Sequence, residues 1–280
     1  MNYKIIADSS ADLSALSGCS FSSVPLKIIT VHKEYVDDAA LDVSQMIDDL
    51  RKYKGVSRSS CPNVQDWLTA FGDSEAIFCV TITSGLSGSY NSACLALNDY
   101  LEAHPHRKGL VIDSLSVGPE SSLIIEKLCQ LINEGAEFED ICNTITEYKK
   151  TTHLIFCLDS LKNLAGNGRV SPAVAKIAGL LGIRIVGKAS NEGTLEITDK
   201  ARGADKALAT IYKNMKASGY SGGRVHIHHC ENPEAAEIIV NMVKGDYPEA
   251  EITVRQTRGL CSFYAESKGL LIGFEGDGKQ

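Results

Sequence analysis

The apolar run AIFCVT, Ala76 to Thr81, passes directly into ITSGLSGSYNSA, Ile82 to Ala93, and this junction restricts the fold more than any other stretch. An apolar run closed by glycines and hydroxyls and followed by helical spacing predicts a strand over 76–82, a tight loop and a helix over 89–103. Thr83, Ser84, Ser87 and Ser89 supply four hydroxyls within seven residues, and Gly85 and Gly88 let the backbone turn closely. Amides and hydroxyls can thus converge on one small anionic group. The loop has no Gly-Lys-Ser/Thr ending, so no lysine is placed to follow a transferring phosphate. Ser89 stands where a Gly-x-Ser-x-Gly nucleophile elbow needs its second glycine. Both departures point to holding an anion rather than attacking one. The alternative is a Gly/Ser turn that only caps a helix.

Two other predicted strands end in the same kind of residue. The strand over 3–7 runs into Asp8-Ser9-Ser10-Ala11-Asp12, and the strand over 109–112 runs into Asp113-Ser114. Strands alternating with helices imply a doubly wound parallel sheet, whose ligands sit beyond the carboxyl ends of the strands. The three ends are therefore expected to share one crevice. After a strand at 152–160, THLIFCLDS, the pattern changes to an antiparallel hairpin, IRIVGKA and TLEIT about the turn 190–193, and to layered strands and helices. The fold expected is α/β, a parallel-sheet N-terminal domain over 1–155 and a C-terminal α/β sandwich over 156–280, since 280 residues are long for one core.

Further candidates are scattered. In SRSSCPN, Ser59 and Ser60 read either as a helix cap or as a second set of hydroxyls facing the crevice, and Pro62 suits a first helical turn. Gly166, Asn167 and Gly168 form a turn presenting Arg169 just before a helix over 173–181 capped by Ser171, where it is either solvated or an anion contact. Lys200-Ala201-Arg202 is read as opening the long helix to Met215. On a strand, His226 and His228 share one face and His229 the other, which makes a weak metal site, and a catalytic triad has no visible means of assembly. Nine cysteines without a CxxC pair predict a reducing cytoplasm with neither a disulfide framework nor a zinc site. The net charge of −7 without a basic stripe argues against nucleic acid. No apolar run approaches the roughly 20 residues of a membrane span, and the N-terminal apolar segment is too short for a signal peptide.

Taken together and in order, DSSADL at 8–13, VPLKI at 24–28, SSCP at 59–62, ITSGLSGSYNSA at 82–93, Asp113-Ser114, LKNLAGNGRVS at 161–171 and Lys200-Ala201-Arg202 resemble the DegV family. These are bacterial fatty-acid-binding proteins that present lipid to a separate fatty-acid kinase. The resemblance spans nearly the whole chain. It implies a non-catalytic carrier with no cofactor, a long acyl chain buried between or within the domains, and a carboxylate held by Ser59, Ser60, Thr83, Ser84 and Gly85. It raises Arg169 as a head-group or partner contact, beside Ser9, Ser114 and Arg202. Transient membrane contact is compatible with such a role. Two departures stand out: Ala265 occupies the place of the family's histidine, and Arg184-Ile185 replaces its Lys-Pro. The rival expectation is an enzyme, either a serine hydrolase using Ser84 or Ser87 or a phosphotransferase acting on a small anion.

Overall fold

A computed structural model describes residues 2–178 and 182–279. Strands Phe21–Val24, Tyr3–Asp8, Ala76–Thr81 and Lys108–Asp113 form, in that spatial order, a parallel sheet. Every residue of Ala76–Thr81 is buried, as expected of a central strand covered on both faces. Helices Ser89–Ala103 and Val64–Phe71 cover one face around Trp67, Phe71 and Leu97. Helices Pro119–Asn133 and Phe138–Tyr148 cover the other, around Phe78, Ile124 and Phe138.

The second sheet is six-stranded, ordered Leu195–Arg202, Ile183–Ala189, Thr152–Leu158, Leu270–Glu275, Val225–His229, Ile252–Gln256. All its pairs are antiparallel except the last. Thr152–Leu158 pairs only within this sheet and lies across the domain boundary expected near 155. Its alternation has a direct consequence. Ile155 and Cys157 face the core beneath helices Ala204–Ala217 and Pro233–Asp246, while Leu154, Phe156 and Leu158 face the opposite way, toward the first half of the chain. A small antiparallel sheet, Glu34–Val36, Lys27–Ile29 and Arg58–Ser60, packs Ile28 and Tyr35 into the same core cluster as Leu154, Phe156 and Leu158.

Several sequence expectations need correction. Ser59 and Ser60 are neither loop nor cap: they lie on a short strand, and the following helix is capped by Asn63 in a reciprocal box with Asp66, with Pro62 outside it. Lys200-Ala201-Arg202 ends a strand instead of opening a helix, and the helix begins at Ala204 after Gly203. That strand carries a bulge between Ile197 and Asp199 which breaks its alternation. Cys19 and Cys129 are joined by a disulfide across 110 residues, where none was expected. The helix expected over 173–181 is seen as Pro172–Ala178, and its last three positions lie outside the described residues.

Candidate functional site

The three strand ends do converge, and the chain's own carboxylates occupy the place where they meet. Asp8 accepts from the Ile82 amide at 2.9 Å, from Ser89 Oγ at 2.6 Å and from the Ser10 amide and hydroxyl. Burial raises its pKa, against the lowering effect of those hydrogen bonds. Asp113 Oδ1 accepts from the Ser84 amide at 3.1 Å and the Leu115 amide at 3.0 Å. Thr83 Oγ1 donates to the Gly193 carbonyl at 2.8 Å, tying the first sheet to the hairpin turn of the second. Gly193 has φ +74°, and a Cβ there would overlap Thr83 Oγ1, so both the conformation and the approach require glycine. The inner donors of the loop are thereby consumed.

What remains faces a cavity between the sheets, about 680 Å³ of empty space including its open mouth. Leu154, Phe156 and Leu158 form one wall, continued by Leu271, Leu164 and Leu195; Leu26, Ile82, Val117 and Leu260 close the other side. The polar lining consists of Ser59, Ser87, Arg169 and Tyr264, with the Cys261 thiol nearby. Burial pushes the Cys261 thiol well up, which leaves it protonated.

These four polar groups come from distant parts of the chain. Ser59 Oγ and Tyr264 Oη are hydrogen-bonded at 2.6 Å. Burial raises the Tyr264 phenol, opposed by the Ser59 hydrogen bond and the charge of Arg169, so it is a neutral donor at neutral pH. The Arg169 guanidinium lies 6.0 Å from the Tyr264 ring centroid, donates through Nε to the Leu86 carbonyl at 3.1 Å and through a terminal nitrogen to the Asn167 carbonyl. Among the described residues no carboxylate pairs with it, and a guanidinium carries five donors. Ser87 Oγ accepts from the Ser89 amide at 3.3 Å, which leaves its own proton to donate. The result is an apolar cavity with neutral hydroxyls and one guanidinium at its polar end.

Of the residues singled out from sequence, the cavity brings together Ser59, Ser87 and Arg169. Ser60 points to the other face of its strand. Thr83 is buried in its bond to Gly193, and Ser84 and Gly85 are exposed on the outer side of the loop. Ser9 and Ser114 are fully buried in local bonds, Ser9 Oγ accepting from the Leu26 amide at 3.0 Å and Ser114 Oγ donating to the Ser116 carbonyl at 3.0 Å. Arg202 is exposed at a strand end and does not line the cavity. Ala265 lines it, on the helix Gly259–Ala265 that also supplies Tyr264. Tyr264 is the residue that sequence reasoning left unassigned. The usable signal was the departure at the neighbouring Ala265, since a lost polar group at a site invites a substitute beside it.

The histidines take other roles. His226 Nδ1 lies 2.6 Å from Ser122 Oγ and its Nε2 lies 3.1 Å from Glu126, on a helix face away from the cavity. His228 Nδ1 lies 2.9 Å from Asp12, fully buried, and burial lowers its pKa. Neither hydrogen-bonds Ser84 or Ser87. Among the described residues, no group of three or more His, Cys, Asp and Glu side chains is placed to hold a metal, and no helix is long and apolar enough to cross a membrane.

The model of the DegV family, whose description is "Uncharacterised protein", matches residues 2–275, and the chain belongs to that family. A DegV domain-containing protein of Streptococcus pneumoniae is 45% identical over 281 residues, covering 99% of this chain and 100% of that one. Among solved structures, a DegV family protein from Eubacterium eligens loaded with heptadecanoic acid superposes with a TM-score of 0.96 at 45% identity, over 98% of this chain and 100% of the other. The fatty acid kinase B3 protein of S. pneumoniae, loaded with linoleic acid, gives 0.97 at 45% identity, over 99% and 100%.

Proposed function

We propose that this protein is a non-catalytic carrier that buries a long-chain fatty acid and presents its carboxylate to a separate fatty-acid kinase for acyl-phosphate formation. The observation that carries this reading is the cavity itself, a leucine-rich chamber with four polar side chains gathered at one end. Two relatives at 45% identity hold such ligands, and one is a fatty acid kinase B protein. The physics agrees. Each buried methylene contributes about 0.8 kcal/mol, so a chain of about 16 carbons gains roughly 10 kcal/mol before ordering costs. A hydrogen bond to the carboxylate adds about 1.5–3 kcal/mol. The tail sets affinity and the polar end sets orientation.

Placement in the cavity favours Ser59, Tyr264, Ser87 and Arg169 as the carboxylate contacts, in place of the wider set Ser59, Ser60, Thr83, Ser84 and Gly85. Neutral hydroxyls and a single guanidinium hold the carboxylate without a general base poised against it. That arrangement suits a group to be phosphorylated by another protein better than it suits hydrolysis at Ser84 or Ser87. We divide the domains just ahead of Thr152, so that the strand Thr152–Leu158 stays with its sheet. Displacement of a fluorescent fatty acid by oleate tests the carrier reading: saturable one-to-one binding supports it, and no displacement contradicts it.

A further inference from the structure

The six-stranded sheet ends differently at its two edges. Leu195–Arg202 is broken by the bulge between Ile197 and Asp199 and exposes Glu196, Lys200 and Arg202, features that discourage a further strand. Ile252–Gln256 at the other edge has no bulge, proline or lysine, and among the described residues it pairs only with Val225–His229. The ladder fixes which of its backbone groups are left over. The Val225 amide donates to the Glu251 carbonyl and the Thr257 amide to the His229 carbonyl, both at 2.9 Å. A parallel ladder engages alternate residues of a strand, so Glu251, Thr253, Arg255 and Thr257 turn their backbone inward. Ile252, Val254 and Gln256 therefore present amide and carbonyl at the open edge, where the Val254 side chain is 45% exposed.

The side chains about Thr253 mirror one another. Ile252 and Val254 flank it, and Glu251 and Arg255 stand one position further out with opposite charges. Glu251 is exposed. Arg255 gives one terminal nitrogen to Glu126 at 3.4 Å, and its Nε has no hydrogen-bond partner among the described residues.

We propose that this edge pairs antiparallel with the same edge of a second copy of the chain, about a two-fold axis at Thr253. Outward-facing residues must oppose outward-facing residues, which restricts the pairing to registers centred on a residue and excludes those centred between two. The register centred on Thr253 sets Ile252 against Val254 in hydrogen-bonded pairs. It also sets Glu251 against Arg255 at both ends, in the non-hydrogen-bonded positions where side chains approach most closely and opposite charges stabilise. A two-fold contact has to be complementary to itself, which a strand reflecting its charges and apolar residues about its own centre satisfies and an unrelated partner would not require. Main-chain hydrogen bonds supply most of the affinity in such strand addition. None of residues 251–256 lines the cavity, so the pairing leaves it open and does not depend on the carrier reading.

Sedimentation velocity of the full chain over a concentration series tests it, with urea unfolding as the check on each variant's folding. The wild type should pass from one-chain to two-chain mass as concentration rises. Glu251→Arg opposes arginine to arginine twice and should weaken association about tenfold or more, and Val254→Lys, which sets a charge at the open edge, by a similar factor. Arg255→Glu should behave likewise. An equimolar mixture of Glu251→Arg and Arg255→Glu chains should recover a two-chain species, because every opposed pair then carries opposite charges. The control Glu102→Arg, exposed on helix Ser89–Ala103, should associate as the wild type does. If Arg255→Glu does not fold, Glu251→Arg and Val254→Lys, both at exposed positions, carry the test. A wild type of one-chain mass throughout, or edge variants that associate as the control does, would overturn the proposal. A mixture of folded charge variants that stays at one-chain mass would overturn it equally, by removing the pairing about Thr253.

Discussion

The Ser59 hydroxyl and the Tyr264 phenol meet at 2.6 Å across 205 residues of sequence, and this contact joins the small antiparallel sheet to the last helix at the polar end of the cavity. Either atom serves as donor to the other, so together they offer a ligand carboxylate one or two hydroxyl protons. The resemblance places a family histidine where this chain has Ala265; here the neighbouring Tyr264 phenol lines the cavity.

Removing one of the pair should therefore expose the coupling. Tyr264→Phe keeps the ring and loses the hydroxyl, and is expected to weaken fatty-acid binding by about 1 kcal/mol, roughly fivefold. Ser59→Ala should cost a similar amount. The double variant should cost clearly less than the sum, because the two hydroxyls act as a unit. Displacement titrations of the four proteins measure this, and strict additivity would show that the two groups do not share the ligand.

Arg169 makes a sharper prediction, since among the described residues its guanidinium is the one cationic group lining the cavity. Arg169→Ala should weaken binding of a long-chain acid by about 1.5–3 kcal/mol, while binding of the matching methyl ester or alcohol should change little. Equal losses for acid and ester would place Arg169 in a packing role over the Tyr264 ring.

Leu195 lines the apolar part of the cavity and is only partly buried, so it tolerates a larger replacement better than the core leucines do. Leu195→Trp should shorten the space for the tail. Affinity for long acids should fall steeply while that for short ones changes little, with about 0.8 kcal/mol lost per methylene excluded. A uniform fall across chain lengths would mean that the tail lies elsewhere.

Asp37 ties the second strand of the small sheet to the Gly259 and Leu260 amides at 2.8 and 2.9 Å. Burial raises its carboxyl from 3.8 to about 6, partly offset by those amides and Ser9. The folded protein then keeps a proton that the unfolded chain releases between about pH 4 and 6, so this residue's contribution to stability falls as pH rises through that window and is flat above it. Relative to Asp37→Asn, the wild type should lose on the order of 3 kcal/mol across the window. Urea unfolding of both proteins at several pH values checks the sign, and a relative gain with rising pH would contradict it.

How much of this was legible in the sequence follows from how local each feature is. The strand ends at Asp8, Thr83 and Asp113 were readable because each is a strand followed by small polar residues. Their use was not, because Ser89 and the Ile82 amide are taken by Asp8, and Thr83 by Gly193, at separations of 81, 74 and 110 residues. The loop does close on a carboxyl group on its inner side, but that group is the protein's own Asp8. Strand alternation shows that only one of Ser59 and Ser60 can face a given side, but not which side is the cavity. The helical reading at Lys200 failed because a bulge hid the strand period. His226 found Ser122 and Glu126, one turn apart on a helix about 100 residues away, a pairing that no local pattern announces.

The central claim is that the chamber between the sheets holds a fatty acid in the protein as the cell makes it. Native mass spectrometry of the protein purified from bacteria, followed by denaturing extraction and identification of the released small molecule, tests this most directly. The account predicts one long-chain fatty acid per chain, lost or strongly reduced in Leu195→Trp. A protein that emerges empty and takes up no added fatty acid would contradict it, and would turn the polar end of the cavity toward smaller anions.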